Sequence, residues 1–150
     1  MALADIRSFL AIDEHLGTAG QPTEEQLGDL AVAGYGAIVN LGLLDPSYCL
    51  RDEAGAVASL RLEYRHIPVQ FDAPTVQDYL TFASTMDGWA DKKVFVHCAA
   101  NYRASTFVAL YGELRLGWPR ERADALATKL WPLNETWRAF IARCRAESVA

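Results

Sequence analysis

Short apolar runs alternate along the chain with longer stretches in which apolar residues recur every three or four positions. The runs YGAIVNL (35–41), LEYRHIPV (62–69, closed by Pro68) and KKVFVH (92–97) read as strands, and HLGTAG (15–20) offers a fourth. Between them lie helical patterns. The stretch TEEQLGDLAVAG predicts a helix capped by Thr23, with Gln26 completing a capping box and Gly34 ending it. LRDEAGAVASLR (50–61) predicts a second, weakened by Gly55. A third runs from about 76 to 89, with Thr75 as its cap and Asp78 at the third position. Residues 104–116 place Phe107, Leu110, Tyr111 and Leu114 near one helical face. Pro119 opens a helix over 120–130, and a last one covers 134–146. The alternation predicts an α/β fold, with a central, mostly parallel sheet of four to five strands flanked by helices on both faces.

Length and composition narrow this picture. The 150 residues suit one domain, 1–150, with room for a core. The residues are 51% apolar and 22% charged, which is ordinary globular chemistry. A formal charge of −5 argues against nucleic acid or an acidic membrane as partner. The start of the chain shows neither a basic leader nor a run long enough to span a bilayer, so the expected address is a reducing cytoplasm. Cys49, Cys98 and Cys144 make no disulfide framework and no zinc-type spacing, and no metal site is expected. Trp89, Trp118, Trp131 and Trp137 are expected to pack in the core.

The chemistry gathers in VFVHCAANYRAST, residues 94–106. Cys98 ends a predicted strand, where ligands collect in open parallel sheets. The following helix points its N-terminus back at the loop, and its free N–H groups and dipole favour an anion. Arg103 adds a planar fork suited to two oxygens. The same field favours a thiolate at Cys98, a nucleophile at neutral pH. Ser105 or Thr106 is placed to donate a hydrogen bond to that sulfur, and His97 to order the loop. Asn101 is the residue best able to take a left-handed conformation there, and Tyr102 to wall the mouth.

VHCAANYRAS resembles the signature loop of the cysteine-dependent tyrosine and dual-specificity phosphatases. HLGTAGQPTEEQLGDLAVAGYGAIVNL is similar to the opening of dual-specificity phosphatase domains, and YRHIPVQFDAPT resembles their acid-bearing strand and loop. The nearest likeness is to small bacterial phosphatase-like domains, also found fused to beta-lactamase-like hydrolases, which carry a similar Gly-Gln-Pro-Thr element, here Gly20 to Thr23. The resemblance spans about residues 15–118. It implies a dual-specificity-phosphatase-like fold and hydrolysis of phosphomonoesters through a phosphocysteine on Cys98. Substrate oxygens would be held by the loop from Ala99, Ala100, Asn101 and Tyr102 to Arg103 and Ala104. It further implies Asp72 as general acid, Ser105 as the hydroxyl serving the sulfur, and no cofactor. The partners it implies are a phosphorylated small molecule or protein, with a phosphate or sulfate in the active loop. By itself, an aspartate before Ala-Pro-Thr also suits a solvated turn. Asp78 and Asp45 are weaker rivals for the acid.

One feature departs from that pattern. The usual loop has five residues between cysteine and arginine; this one has four, and no glycine. Ser105 keeps the family's spacing, so Arg103 is early by one and Ala104 follows it. Rhodanese-like sulfurtransferases use such a tighter loop, with a persulfide on the cysteine. The sequence therefore leaves three readings open: phosphatase, sulfurtransferase through a Cys98 persulfide, and a module that binds phosphate without turnover.

Overall fold

The computed structural model describes residues 3–149. After a 3-10 turn at Leu3–Asp5, the order is β1 (Leu10–Asp13), β2 (Leu16–Ala19), α1 (Glu24–Val32), β3 (Ala37–Asn40), α2 (Glu53–Ser59), β4 (Glu63–His66), α3 (Val76–Gly88), β5 (Val94–His97), α4 (Tyr102–Arg115), α5 (Arg120–Ala127) and α6 (Glu135–Val149). The five strands form one sheet in the order β1-β2-β5-β3-β4. All neighbours are parallel except the edge pair β1 and β2. Strand β5 is central, and its last residue, His97, pairs with Ala19 on one side and Asn40 on the other. The α/β expectation is met. Strand β1 carried no sequence signal, because four residues at a sheet edge with alternate exposure are too few to set a period.

Successive residues of the inner strands serve opposite layers. Val39, Val94 and Val96 pack with Phe82 of α3, Phe107 of α4, and Trp137 and Phe140 of α6. Ile38 and Phe95 face Leu27 and Leu30 of α1 and Val57 of α2. Phe107 is fully buried, with ring centroids 5.5 Å from Phe82 and 5.4 Å from Phe140. Truncating such a side chain costs about 3–5 kcal/mol, so this layer holds much of the fold's stability.

The capping boxes at Thr23 and Thr75 form as expected, the second with Asp78. Helix α4 differs from its expected form. It starts at Tyr102 rather than 104, and every residue from Arg103 to Gly112 is buried. It is an interior helix, enclosed by β2, β5, α3, α5 and α6, so its apolar pattern is not confined to one face. Gly112 permits this: a Cβ there would lie 2.2 Å from the Trp118 ring. Helices α2 and α5 are shorter than expected and α6 runs later. Trp131 and Trp137 are buried, while Trp89 and Trp118 lie half-buried against the core.

Candidate active site

Cys98 follows β5 directly, is only 1% exposed, and faces the α4 layer. The chain then turns within three residues into α4. Asn101 makes this possible by adopting the left-handed conformation, φ 74° and ψ 4°. Its side chain does not cap the helix; its Nδ2 donates to Ser8 O at 2.8 Å and Thr18 Oγ1 at 3.0 Å. The first intrahelical bond, from Ser105 N to Asn101 O, is 3.0 Å long. The N–H groups of Tyr102, Arg103 and Ala104 therefore have no acceptor inside the helix and remain available to an anion. Gly20 braces the loop from β2. A Cβ at that position would sit 2.5 Å from Ala99 O, so only glycine lets the two backbones meet. Gln21 N then donates to Ala99 O at 3.0 Å.

Behind the loop is a closed polar cluster. His97, 0% exposed, places Nδ1 3.2 Å from Cys98 O and Nε2 2.6 Å from Glu53 Oε2. Gln21 Nε2 donates to the other Glu53 oxygen at 2.8 Å, and Asn40 Nδ2 donates to Tyr64 Oη at 3.1 Å. Burial works to raise the pKa of Glu53, but the bond and charge of His97, with bonds from Gln21 and Tyr64, outweigh it and hold the carboxyl below its ordinary value. Burial and the Glu53 charge push the Tyr64 phenol up, so it stays a donor. Sequence reasoning gave Glu53 no role. The available signal was His97 itself, since a buried imidazole needs partners, but Glu53 lies 44 residues away.

In front of the loop, Arg103 is 6% exposed, and its Nη1 donates to Val69 O at 2.8 Å. Among the described residues its Nε and Nη2 have no hydrogen-bond partner, which leaves two N–H directions for an anion. The guanidinium lies 6.0 Å above the ring of Phe71, and Trp137 Nε1 donates to Phe71 O at 2.7 Å. Arg103 thus joins the cysteine loop to the segment that carries Asp72. Asp72 is exposed, on a turn closed by Ala73 N to Gln70 O at 3.2 Å, and lines a cleft of about 470 Å³ with Glu135 and Arg143. Its carboxylate has no hydrogen-bond partner among the described residues. Asp78 and Asp45 are both engaged locally, Asp78 on Thr75 N and Asp45 on Ser47 N. Both hydroxyls after Arg103 turn to one carbonyl, Thr106 Oγ1 to Tyr102 O at 2.9 Å and Ser105 Oγ at 3.4 Å. Neither is bonded to the sulfur here, and the longer Ser105 contact is the easier to exchange. Tyr102 stacks on Trp131, with centroids 4.9 Å apart and planes at 2°.

A buried thiol, a helix start and an arginine fork, the last tied through Val69 O to the segment that carries Asp72, suit attack on a tetrahedral oxyanion. A family model described as "DSP-PTPase phosphatase fused to NAD+ kinase" matches residues 12–129. The chain belongs to this phosphatase family. A candidate phosphatase (DUF442) from Shewanella putrefaciens CN-32 is 31% identical, with 97% of this chain and 96% of that one covered at a TM-score of 0.89. PTPMT1 in complex with PI(5)P shares 15% identity and the fold, with 94% and 96% covered at a TM-score of 0.79. P. aeruginosa TpbA in complex with pTyr shares 12%, with 99% and 93% covered at 0.73. No curated protein sequence matches. The sheet is flanked by helices on both faces, and the dual-specificity-type fold expected from the sequence is the fold observed. Among the described residues no helix is long and apolar enough to cross a membrane.

Proposed function

We propose that the protein hydrolyses phosphomonoesters, aryl or phosphotyrosine-type, through a phosphocysteine on Cys98. The observation that supports this reading is that Arg103, in the first turn of α4 and five residues after Cys98, bonds Val69 O of the segment that runs on to Asp72. The sulfur attacks phosphorus in line with the ester oxygen. The Tyr102–Ala104 amides and the free Arg103 donors hold the equatorial oxygens, where charge spreads in the transition state. Asp72 protonates the departing aryloxide, then takes a proton from the water that attacks the phosphocysteine and frees the thiolate. In this scheme Ser105 turns from Tyr102 O to the departing sulfur, and Glu53–His97 fixes the backbone beneath it. The ligands in the structures of PTPMT1 and TpbA, PI(5)P and pTyr, each carry a phosphomonoester group, an alkyl one in the first and an aryl one in the second. A thiol nucleophile works in a reducing compartment such as the cytoplasm.

The four-residue spacing of the loop supports a second reading, sulfur transfer through a Cys98 persulfide. Two assays decide between them. Hydrolysis of p-nitrophenyl phosphate that is lost in Cys98→Ser supports the phosphatase. Transfer from thiosulfate to cyanide, lost in the same variant, replaces it with the sulfurtransferase. If the protein turns over neither substrate while phosphate raises its melting temperature, the site binds without catalysis.

A further inference from the structure

The turn bearing Asp72 is also held by α6, which begins after residue 129 and so lies outside the stretch matched by the family. Asn134 Oδ1 accepts from Trp137 N at 2.9 Å and fixes the first turn of that helix. This aims the Trp137 indole at the turn, where Nε1 donates to Phe71 O at 2.7 Å, one residue before Asp72. Phe71 is clamped as well. Its ring centroid lies 5.4 Å from Trp131 and 5.9 Å from Trp137, with the Arg103 guanidinium on the same ring. Further along α6, Arg143 Nη2 reaches Pro74 O at 3.4 Å. Trp137 is 0% exposed, so its N–H has no water to turn to if the Phe71 carbonyl leaves.

We infer that Trp137 is a positioning residue for the proposed reaction: through the Phe71 carbonyl it fixes where Asp72 stands relative to Cys98. The inference rests on the acid role proposed above. Arg103 of α4 and Trp137 of α6 grip the segment at alternate carbonyls, Val69 and Phe71. With both made, the turn has one place to stand. With the indole bond gone, the Arg103 tie alone lets the following residues swing about Val69. Proton delivery to a leaving oxygen demands placement within hydrogen-bond reach, so this freedom is felt at protonation and not at phosphate capture.

Trp137→Phe keeps a ring in the core and deletes the N–H. The full chain is assayed with phenyl phosphate, whose leaving group needs the proton, and with p-nitrophenyl phosphate, which needs it far less. The expected result is a fall in kcat of about tenfold on the first ester and under about threefold on the second, with KM little changed. In the Asp72→Asn background the same substitution should cost nothing further. Amide exchange at Ala73, whose N–H closes the turn, should quicken in the single variant. If Trp137→Phe folds poorly, benzothienylalanine at the same position supplies an isosteric ring with sulfur for N–H, and the same pattern is expected. Equal losses on both esters, or a full further loss on top of Asp72→Asn, assign Trp137 to packing and overturn the inference. Asp72→Asn impaired while Trp137→Phe runs at the wild-type rate also overturns it and leaves the acid standing. Asp72→Asn fully active on both esters removes the acid role, and this inference with it.

Discussion

His97 and Cys98 are adjacent in the chain yet serve opposite sides of the sheet, and the two sides are built differently. Behind the loop, His97, Glu53 and Gln21 are linked by short side-chain bonds, and the histidine and glutamate are almost wholly shielded from solvent. In front of it, Arg103 and Trp137 donate to the backbone carbonyls of Val69 and Phe71. A broken bond behind the loop strands a charge in the interior, which is costly. A broken bond in front leaves a shielded donor, Arg103 or Trp137, short of one backbone acceptor, on a segment whose tip faces water. The rear ties side chain to side chain, and the front ties side chains to the backbone of an exposed segment, the one that in the proposed reaction meets and releases substrate.

Breaking the front should show first in turnover. Arg103→Lys removes the fork but keeps the charge, and kcat on p-nitrophenyl phosphate should drop by about a hundredfold or more, measured at saturating substrate. Asp72→Asn should cost about a hundredfold on phenyl phosphate and flatten the basic limb of the pH–rate profile, because no group is left there to deprotonate. Breaking the rear should show in stability. Glu53→Gln is expected to cost about 2 kcal/mol, seen as a fall of several degrees in melting temperature at pH 7. Its pH signature has a definite sign. The Glu53 carboxyl is held below its ordinary value in the fold, so its contribution is complete above about pH 5 and is lost as pH falls through the folded value. Wild type should therefore lose more stability than Glu53→Gln between about pH 5 and 3 in acid-denaturation curves. The smallest change sharpens the boundary between the two regions. Gly20→Ala must push Ala99 away, costing about 1–2 kcal/mol and raising KM for phosphoesters more than it lowers stability.

Much of the fold was legible in the chain because its signals are local. Thr23 with Gln26 and Thr75 with Asp78 announce helix starts within four residues, and VFVH reads as a buried strand from its own apolar run. Asn101 was marked for the left-handed turn by its residue type alone, and takes it. The buried character of α4 was misread, because a helix enclosed by five other elements and a glycine contact with Trp118 is a property of the packing and not of any window. The site followed the same rule. Cys98, Arg103 and Ser105 fall within eight residues and could be named together. Glu53, Val69 O, Phe71 O and Trp137 join the candidate site through contacts spanning 34 to 66 positions, two of them made by backbone carbonyls, which every residue possesses and none advertises.

Burial leaves the chain with an unusually simple sulfur chemistry. All three cysteines are free, and burial lifts the Cys144 thiol to about 12. At neutral pH that sulfur is a spectator to any electrophile. Replacing Cys49 by serine would then leave Cys98 as the thiol to follow, and on the proposed mechanism intact-mass spectrometry would read its alkylation, with phosphate protecting it from the reagent.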